Sequence, residues 1–254
     1  MGNLVRIMPS KLEGEKRRIG LVAPHQGRVM EEEYPLVTPN VTWLISSLRV
    51  GEVRPERLEA VLPDIERNAL ALESCGAEVI IQCGTPVVFF KGYGFDDVII
   101  DRIQKVTFRP ASTMATSVVK ALKELKLKKV VIVTPYMEEL NRRLKIFLEA
   151  HGLEPLVIKR LPVLTSMRVD EINQQPREQS YELALDTYKE YKDQADGIFI
   201  SCGGFRTLEM IAQLEKDIGK PCTSSNQATI WNSLRMTGLS DPISGYGSLL
   251  EQHL

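Results

Sequence analysis

The stretch Ala195-Asp-Gly-Ile-Phe-Ile-Ser-Cys-Gly-Gly204 carries the reading of the whole chain. Its apolar run is bounded by glycine, too short for a buried helix, and rich in Ile and Phe. It therefore reads as a fully buried strand over 197–202 that ends on a thiol and two glycines. An earlier stretch has the same build: Gly76-Ala-Glu-Val-Ile-Ile-Gln-Cys-Gly84. Two further pairs flank these runs, Leu21-Val-Ala-Pro24 with Ile132-Val-Thr-Pro135, and Pro110-Ala-Ser-Thr113 with Pro221-Cys-Thr-Ser224. Pro24 and Pro135 are 111 residues apart, and so are Pro110 and Pro221. Three ordered matches at a near-constant offset read as two related halves that meet near 126–129.

Working outward, strands are expected at 19–23, 78–83, 129–134, 156–161 and 197–202. Helical periodicity covers 55–74, 111–125, 138–151, 177–192, 208–218 and 227–236, the first opening on Pro55, where a missing N–H costs nothing. Strands alternating with helices of this length build βαβ units around parallel sheets, an α/β fold. The expected division is a first lobe over 17–126, a second over 127–221, a segment 222–254 packing back on the first, and a polar N-terminal extension over 1–16.

Composition narrows the function. The 254 residues are 43% apolar, and 32 basic residues nearly balance 33 acidic ones. That balance supplies no global attraction to nucleic acid or to a membrane surface. The lysines at 120–129 end a helix, where cations suit the dipole, and read as a solvated face. The cysteines at 75, 83, 202 and 222 form no C-x-x-C pair and have no histidine at metal spacing, so no metal site is expected. No apolar run approaches the ~18 residues of a membrane span, no signal peptide is visible, and free thiols suit a reducing cytoplasm.

Ligands of open parallel sheets bind at the carboxyl ends of strands. Four such ends carry unusual residues: Pro24-His25, Cys83-Gly84-Thr85-Pro86, Thr134-Pro135-Tyr136 and Ser201-Cys202-Gly203-Gly204. None holds a phosphate-binding loop. Two glycines after Cys202 let backbone approach a ligand closely. A helix starting near 205–207 would favour a bound carboxylate and lower the thiol pKa toward neutrality, making an acid–base group. The alternative is a buried structural cysteine. The residue facing Cys202 is Cys83 if the Cys-Gly pairs are matched, and Gly84 if the strand starts are matched. We take Gly84, which leaves Cys83 a buried thiol.

These motifs resemble the aspartate/glutamate racemase superfamily, and within it the arylmalonate decarboxylase and maleate isomerase branch. The resemblance runs from Gly20-Leu-Val-Ala-Pro24 to Gly245-Tyr-Gly247. It is strongest at Gly84-Thr85, Phe89-Phe90-Lys91-Gly92, Thr134-Pro-Tyr136 and 196–205. It implies two pseudo-symmetric Rossmann-like lobes, each with a parallel sheet of about four strands, and a site in the cleft between them. Racemases and isomerases of that kind use one cysteine per lobe; the decarboxylases keep only the second-lobe cysteine and have glycine across from it. With Gly84 in that place, the implied activity is cofactor-independent decarboxylation of aryl- or alkenyl-substituted malonates, with Cys202 protonating an enediolate on one face. By resemblance, Thr85, Tyr136 and backbone N–H groups at Gly84, Cys202 and Gly203 hold one carboxylate. Pro24, Val50 and Val53 press on the other.

Departures from the family pattern leave the substrate open. Pro86 stands where a hydroxyl is expected, His25 where a second proline is common, and Leu58 near an expected aromatic hydroxyl. His25 reads either as a carboxylate donor or as a surface loop histidine. Arg49 and Arg54 read as extra carboxylate ligands or solvated charges, Thr113 and Ser224 as site lining or helix caps, and Trp43 and Trp231 as core or pocket wall. The rival expectations are an isomerase or racemase using Cys83 with Cys202, and a carboxylate-binding protein without turnover.

Overall fold

A computed structural model of the protein describes residues 16–25 and 28–254. The expected polar extension therefore lies outside the described residues except for Lys16. Strands β1 (Arg17–Ala23), β2 (Val41–Ser47), β3 (Val79–Gln82) and β4 (Ala111–Thr113) form a parallel sheet in the order β2-β1-β3-β4. Strands β5 (Lys129–Thr134), β6 (Glu154–Arg160), β7 (Gly197–Ile200) and β8 (Cys222–Ser224) form a second, β6-β5-β7-β8. The two orders are the same, as a repeated half requires. The helices are α1 (Arg28–Val37), α2 (Pro55–Val61), α3 (Ile65–Ser74), α4 (Pro86–Phe89), α5 (Phe95–Thr107), α6 (Met114–Glu124), α7 (Glu138–Ala150), α8 (Val169–Asn173), α9 (Arg177–Tyr191), α10 (Leu208–Ile218), α11 (Ser225–Met236) and α12 (Ser248–Gln252).

The repeat extends to hydrogen bonds. Glu78, just before β3, accepts the N–H of Arg18 on β1 at 3.0 Å. Asp196, just before β7, accepts the N–H groups of Lys128 and Lys129 at 3.0 and 2.7 Å. Each acidic side chain ties the start of one central strand to the start of its neighbour. The register then decides which residues face each other. Val22 pairs with Gln82, and Val133, 111 residues later, pairs with Ile200. On the other side Gln82 pairs with Thr113 and Ile200 with Ser224, again 111 residues apart. Both neighbours put Gln82 and Ile200 at one level, so Gly84 and Cys202, two residues on, are counterparts, and Cys83 matches Ser201.

Several expected boundaries move. The helix expected over 55–74 is interrupted by a 3-10 turn at Leu62–Asp64, because Pro63 has no N–H for the α ladder. The first three residues of the helix expected from 111 are β4. Thr113 and Ser224 are extended, and each side chain caps the following helix by accepting the N–H of Thr116 or Gln227. β8 also corrects the placing of 222–254. The strand stays in the second sheet, while α11 after it reaches across to α6 and the C-terminal His253 Nδ1 lies 3.2 Å from Glu124 Oε1 of α6. The Asn232 amide of α11 donates to the hydroxyls of Ser112 on β4 and Ser117 on α6 at 3.1 and 3.0 Å. Trp231 and Trp43 are structural: the Trp231 N–H donates to the His253 carbonyl and the Trp43 N–H to Thr38 Oγ1, both at 2.9 Å.

A second joint crosses between lobes above the strand ends. The Val53 N–H donates to the Met167 carbonyl (2.8 Å) and the Val169 N–H to the Gly51 carbonyl (3.1 Å), around an antiparallel bridge between Glu52 and Arg168. This strap carries residues from both lobes over one cleft.

Candidate active site

The cleft lies at the carboxyl ends of both sheets and holds ≈ 460 Å³ of empty space, part of it open to solvent. Pro24 and His25 reach it from the end of β1, Gly84 and Pro86 from β3, Tyr136 from β5, and Cys202 and Gly203 from β7. Val50 and Val53 come from the strap. Thr85 is not part of the wall but stands directly behind it: its hydroxyl lies 3.2 Å from the Tyr136 hydroxyl.

Cys202 is 7% exposed. Its Sγ accepts the Gly204 N–H at 3.2 Å. Burial pushes the thiol up to about 11, against the opposing pull of the Gly204 and Phe205 N–H groups and the Tyr136 hydroxyl. The expectation of a thiol lowered by a helix N-terminus is therefore corrected. α10 starts at Leu208, and its first N–H groups, those of Thr207 and Leu208, already face the Glu33 carboxylate of α1. That carboxyl is itself pushed up to about 7 by burial. Burial therefore leaves Cys202 a protonated thiol at neutral pH, the form a proton donor needs. Tyr136 is likewise held as the neutral phenol, since burial raises it well above its ordinary value.

Across the cleft, Gly84 has φ +89, and a Cβ there would sit 2.9 Å from Pro24 Cγ. A side chain there is strained in conformation and would have to push Pro24 aside. The Gly84 N–H donates to Met114 Sδ at 3.4 Å, a weak bond that a carboxylate would have to displace. Cys83 is fully buried, its Sγ lies 3.8 Å from the Ile81 carbonyl, and burial drives its thiol far above the ordinary range. It is not in the cleft wall.

A family model described as arylmalonate decarboxylase matches residues 19–250.

The chain belongs to the arylmalonate decarboxylase family.

It is 29% identical to an arylmalonate decarboxylase of Bordetella bronchiseptica over 238 residues, 92% of this chain and 96% of that protein. The solved structure of unliganded arylmalonate decarboxylase superposes with a TM-score of 0.81 at 28% identity, covering 93% of this chain and 100% of that one. A maleate cis-trans isomerase of Nocardia farcinica superposes with a TM-score of 0.84 at 25% identity, covering 93% and 98%. Relatives named for a decarboxylase and for an isomerase make this family member an enzyme.

Within this arylmalonate decarboxylase fold the departures also take their places. Pro86 begins α4 and offers no N–H to the cleft. His25 is lowered to about 4 by burial, so a neutral imidazole lines the wall above that pH. Arg54 pairs with Glu52 at 2.7 Å. The wall also contains Gly204, the second glycine after Cys202, and residues the sequence reading did not select: Met30, Val87, Val169, Ile172 and Asn173. Asn173 is the most informative. It is 8% exposed, its Oδ1 has no hydrogen-bond partner, and that atom would lie 2.5 Å from a Cβ on Gly204. An amide therefore packs on the glycine whose N–H holds the Cys202 sulfur. The spacing of Val169 and Ile172 on one helical face was the one signal available in the sequence, and a single turn is too short to read.

Among the described residues, no group of three or more His, Cys, Asp or Glu is placed to hold a metal. No helix among them is long and apolar enough to cross a membrane.

Proposed function

We propose that this chain is a cofactor-independent decarboxylase of aryl- or alkenyl-substituted malonates. One substrate carboxylate is held by the Tyr136 hydroxyl, supported by Thr85, and by the N–H of Gly203. The other lies against Pro24, Val50 and Val53. Loss of CO2 breaks the bond to that carboxylate and leaves its electron pair on the substrate carbon, delocalised into the held carboxylate as an enediolate. Preorganised donors stabilise that charge. The Cys202 S–H bond then breaks and its proton goes to the carbon, on the one face the sulfur reaches; solvent returns a proton to the thiolate. The supporting observation is the asymmetry of the cleft: one protonated thiol, with Gly84 and no second thiol opposite.

The test is incubation with a panel of malonates including 2-methyl-2-phenylmalonate, following CO2 and the chirality of the monoacid. Optically active product, lost in Cys202→Ala, is expected. No CO2 from any malonate would overturn the proposal and leave a carboxylate-binding protein. One observation favours a second reading, an isomerase or racemase whose substrate keeps both carboxylates. His25 and Asn173 place polar groups in a wall that would otherwise desolvate the leaving carboxylate. Conversion of maleate, or exchange of a substrate α-proton, that disappears in Cys83→Ala would establish that reading.

A further inference from the structure

A second recess opens beside the catalytic cleft and shares His25, Val50, Val169 and Asn173 with it. Its other walls are strongly basic. Arg28, Arg49 and Arg168 line it, against one carboxylate, Asp170. Two of the three guanidiniums are engaged. Arg168 forks onto Asp170 at 3.0 and 2.8 Å, and Arg28 reaches Glu32 at 3.2 Å through Nε. Arg49 has no ion pair among the described residues, and of its groups only the backbone N–H is bonded, to Ser47 Oγ.

Arg49 is also held in place by the fold. The residues on either side of it are tied to the end of β1: the Leu48 N–H donates to the Ala23 carbonyl and the Val50 N–H to the Pro24 carbonyl. Between these two anchors Arg49 takes φ +59, a conformation L residues rarely adopt. Val50 thus turns into the catalytic cleft while its neighbour Arg49 turns to the basic recess. An uncommitted guanidinium on a fixed backbone, next to an apolar wall, matches a carboxylate at the end of an apolar side chain.

We propose that this recess is a distal anion subsite, and that the substrate's malonate carries a side chain ending in a second, remote carboxylate. The inference rests on the decarboxylase reading for the malonate end, and on Arg49, with Arg28 and Arg168 beside it, for the far end. Such a substrate places its aryl or alkenyl body past Val50 and Val169, which border both spaces.

The test compares arylmalonates bearing a carboxyalkyl chain with the corresponding neutral carbamoylalkyl compounds, at three chain lengths. At low salt, kcat/KM for the best carboxylate is expected to exceed that of its amide by tenfold or more, mostly through KM. The preference should shrink between about 20 and 200 mM salt, as screening requires. Arg49→Gln should bring the preference to about one, and Arg49→Lys should restore part of it, with thermal midpoints measured to show that both variants fold. Equal kcat/KM for acid and amide at every length overturns the inference. Calorimetric binding of the matching arylacetates separates the two proposals. If no malonate is turned over but the carboxylate-bearing arylacetate still binds tenfold tighter in an Arg49-dependent way, the decarboxylase reading fails and the anion subsite stands. If acid and amide arylacetates bind equally, the subsite fails whatever the turnover.

Discussion

The ends of β3 and β7 are the same piece of structure with opposite content. Each is a central strand between equivalent neighbours, and each continues for two residues beyond its last ladder pair. The Cys83 N–H donates to the Val22 carbonyl and the Ser201 N–H to the Val133 carbonyl, both at 2.8 Å. One residue later the two lobes part. In the first, Gly84 turns left-handed under Pro24 and presents no side chain. In the second, Cys202 presents a buried, protonated thiol to the cleft. The thiol of the first lobe is displaced by one position and points away from the cleft. A repeat therefore supplies the frame, and a one-residue difference in where sulfur sits decides whether chemistry is available from one side or two.

The largest effect that can break this comparison is on catalysis. Cys202→Ala should lower decarboxylation by roughly 10²–10⁴-fold, the usual contribution of a positioned acid, while Cys83→Ala should change the rate less than about twofold. Comparable losses in both, measured as kcat/KM, would restore a two-thiol mechanism. Tyr136→Phe removes a charge-stabilising donor and should reduce kcat by about 10²-fold, costing about 3 kcal/mol of barrier; single-turnover rates check this.

The next effect concerns the helix end that Cys202 does not share. Glu33 is ordinarily near 4.5 and is raised to about 7 here. The folded state therefore holds that proton more tightly. The contribution is full below about 4.5 and is lost as pH rises through 7, an amount of order 2–3 kcal/mol. Urea unfolding at pH 5 and pH 8 should show the slope in the native chain, and Glu33→Gln should flatten it. The smallest effect sharpens the comparison from the first lobe. Gly84→Cys puts a side chain at φ +89 against Pro24, costing about 1–2 kcal/mol. The thermal midpoint should fall by roughly 2–8 °C, and the product of a prochiral malonate should lose optical purity, because a donor then faces each side.

The central strands were legible because burial on both faces leaves a continuous apolar run, as at 129–134 and 197–200, and α10 was legible from its 3.6-residue period. The edges were not. β2 is half-buried along nearly its whole length and so lacks that signature. β4 and β8 are three residues each and merge in sequence with the helices they precede. α1 carries Pro35 and a run of three glutamates, which hide its apolar face. In the site, residues one or two positions past a strand were readable from Gly, Pro and Cys punctuation. Asn173, Val169 and Ile172 were not. They come from a one-turn helix whose position is set by pairing with residues 51–53 of the other lobe, a contact between segments more than a hundred positions apart.

The α6–α11 pairing has a consequence for how such a chain can exist at all. α6 and α11 are equivalent helices, each following the last strand of its half. The buried faces of Met114–Glu124 and Ser225–Met236 cover each other, and Asn232 of the second donates to Ser117 of the first and to Ser112 on the strand before it. Severed near 126, either half would present that face to water. The molecule is built as a symmetric pair joined into one covalent chain. Because the halves share one chain they need not be identical, and one carries a thiol at the shared cleft where the other carries a glycine.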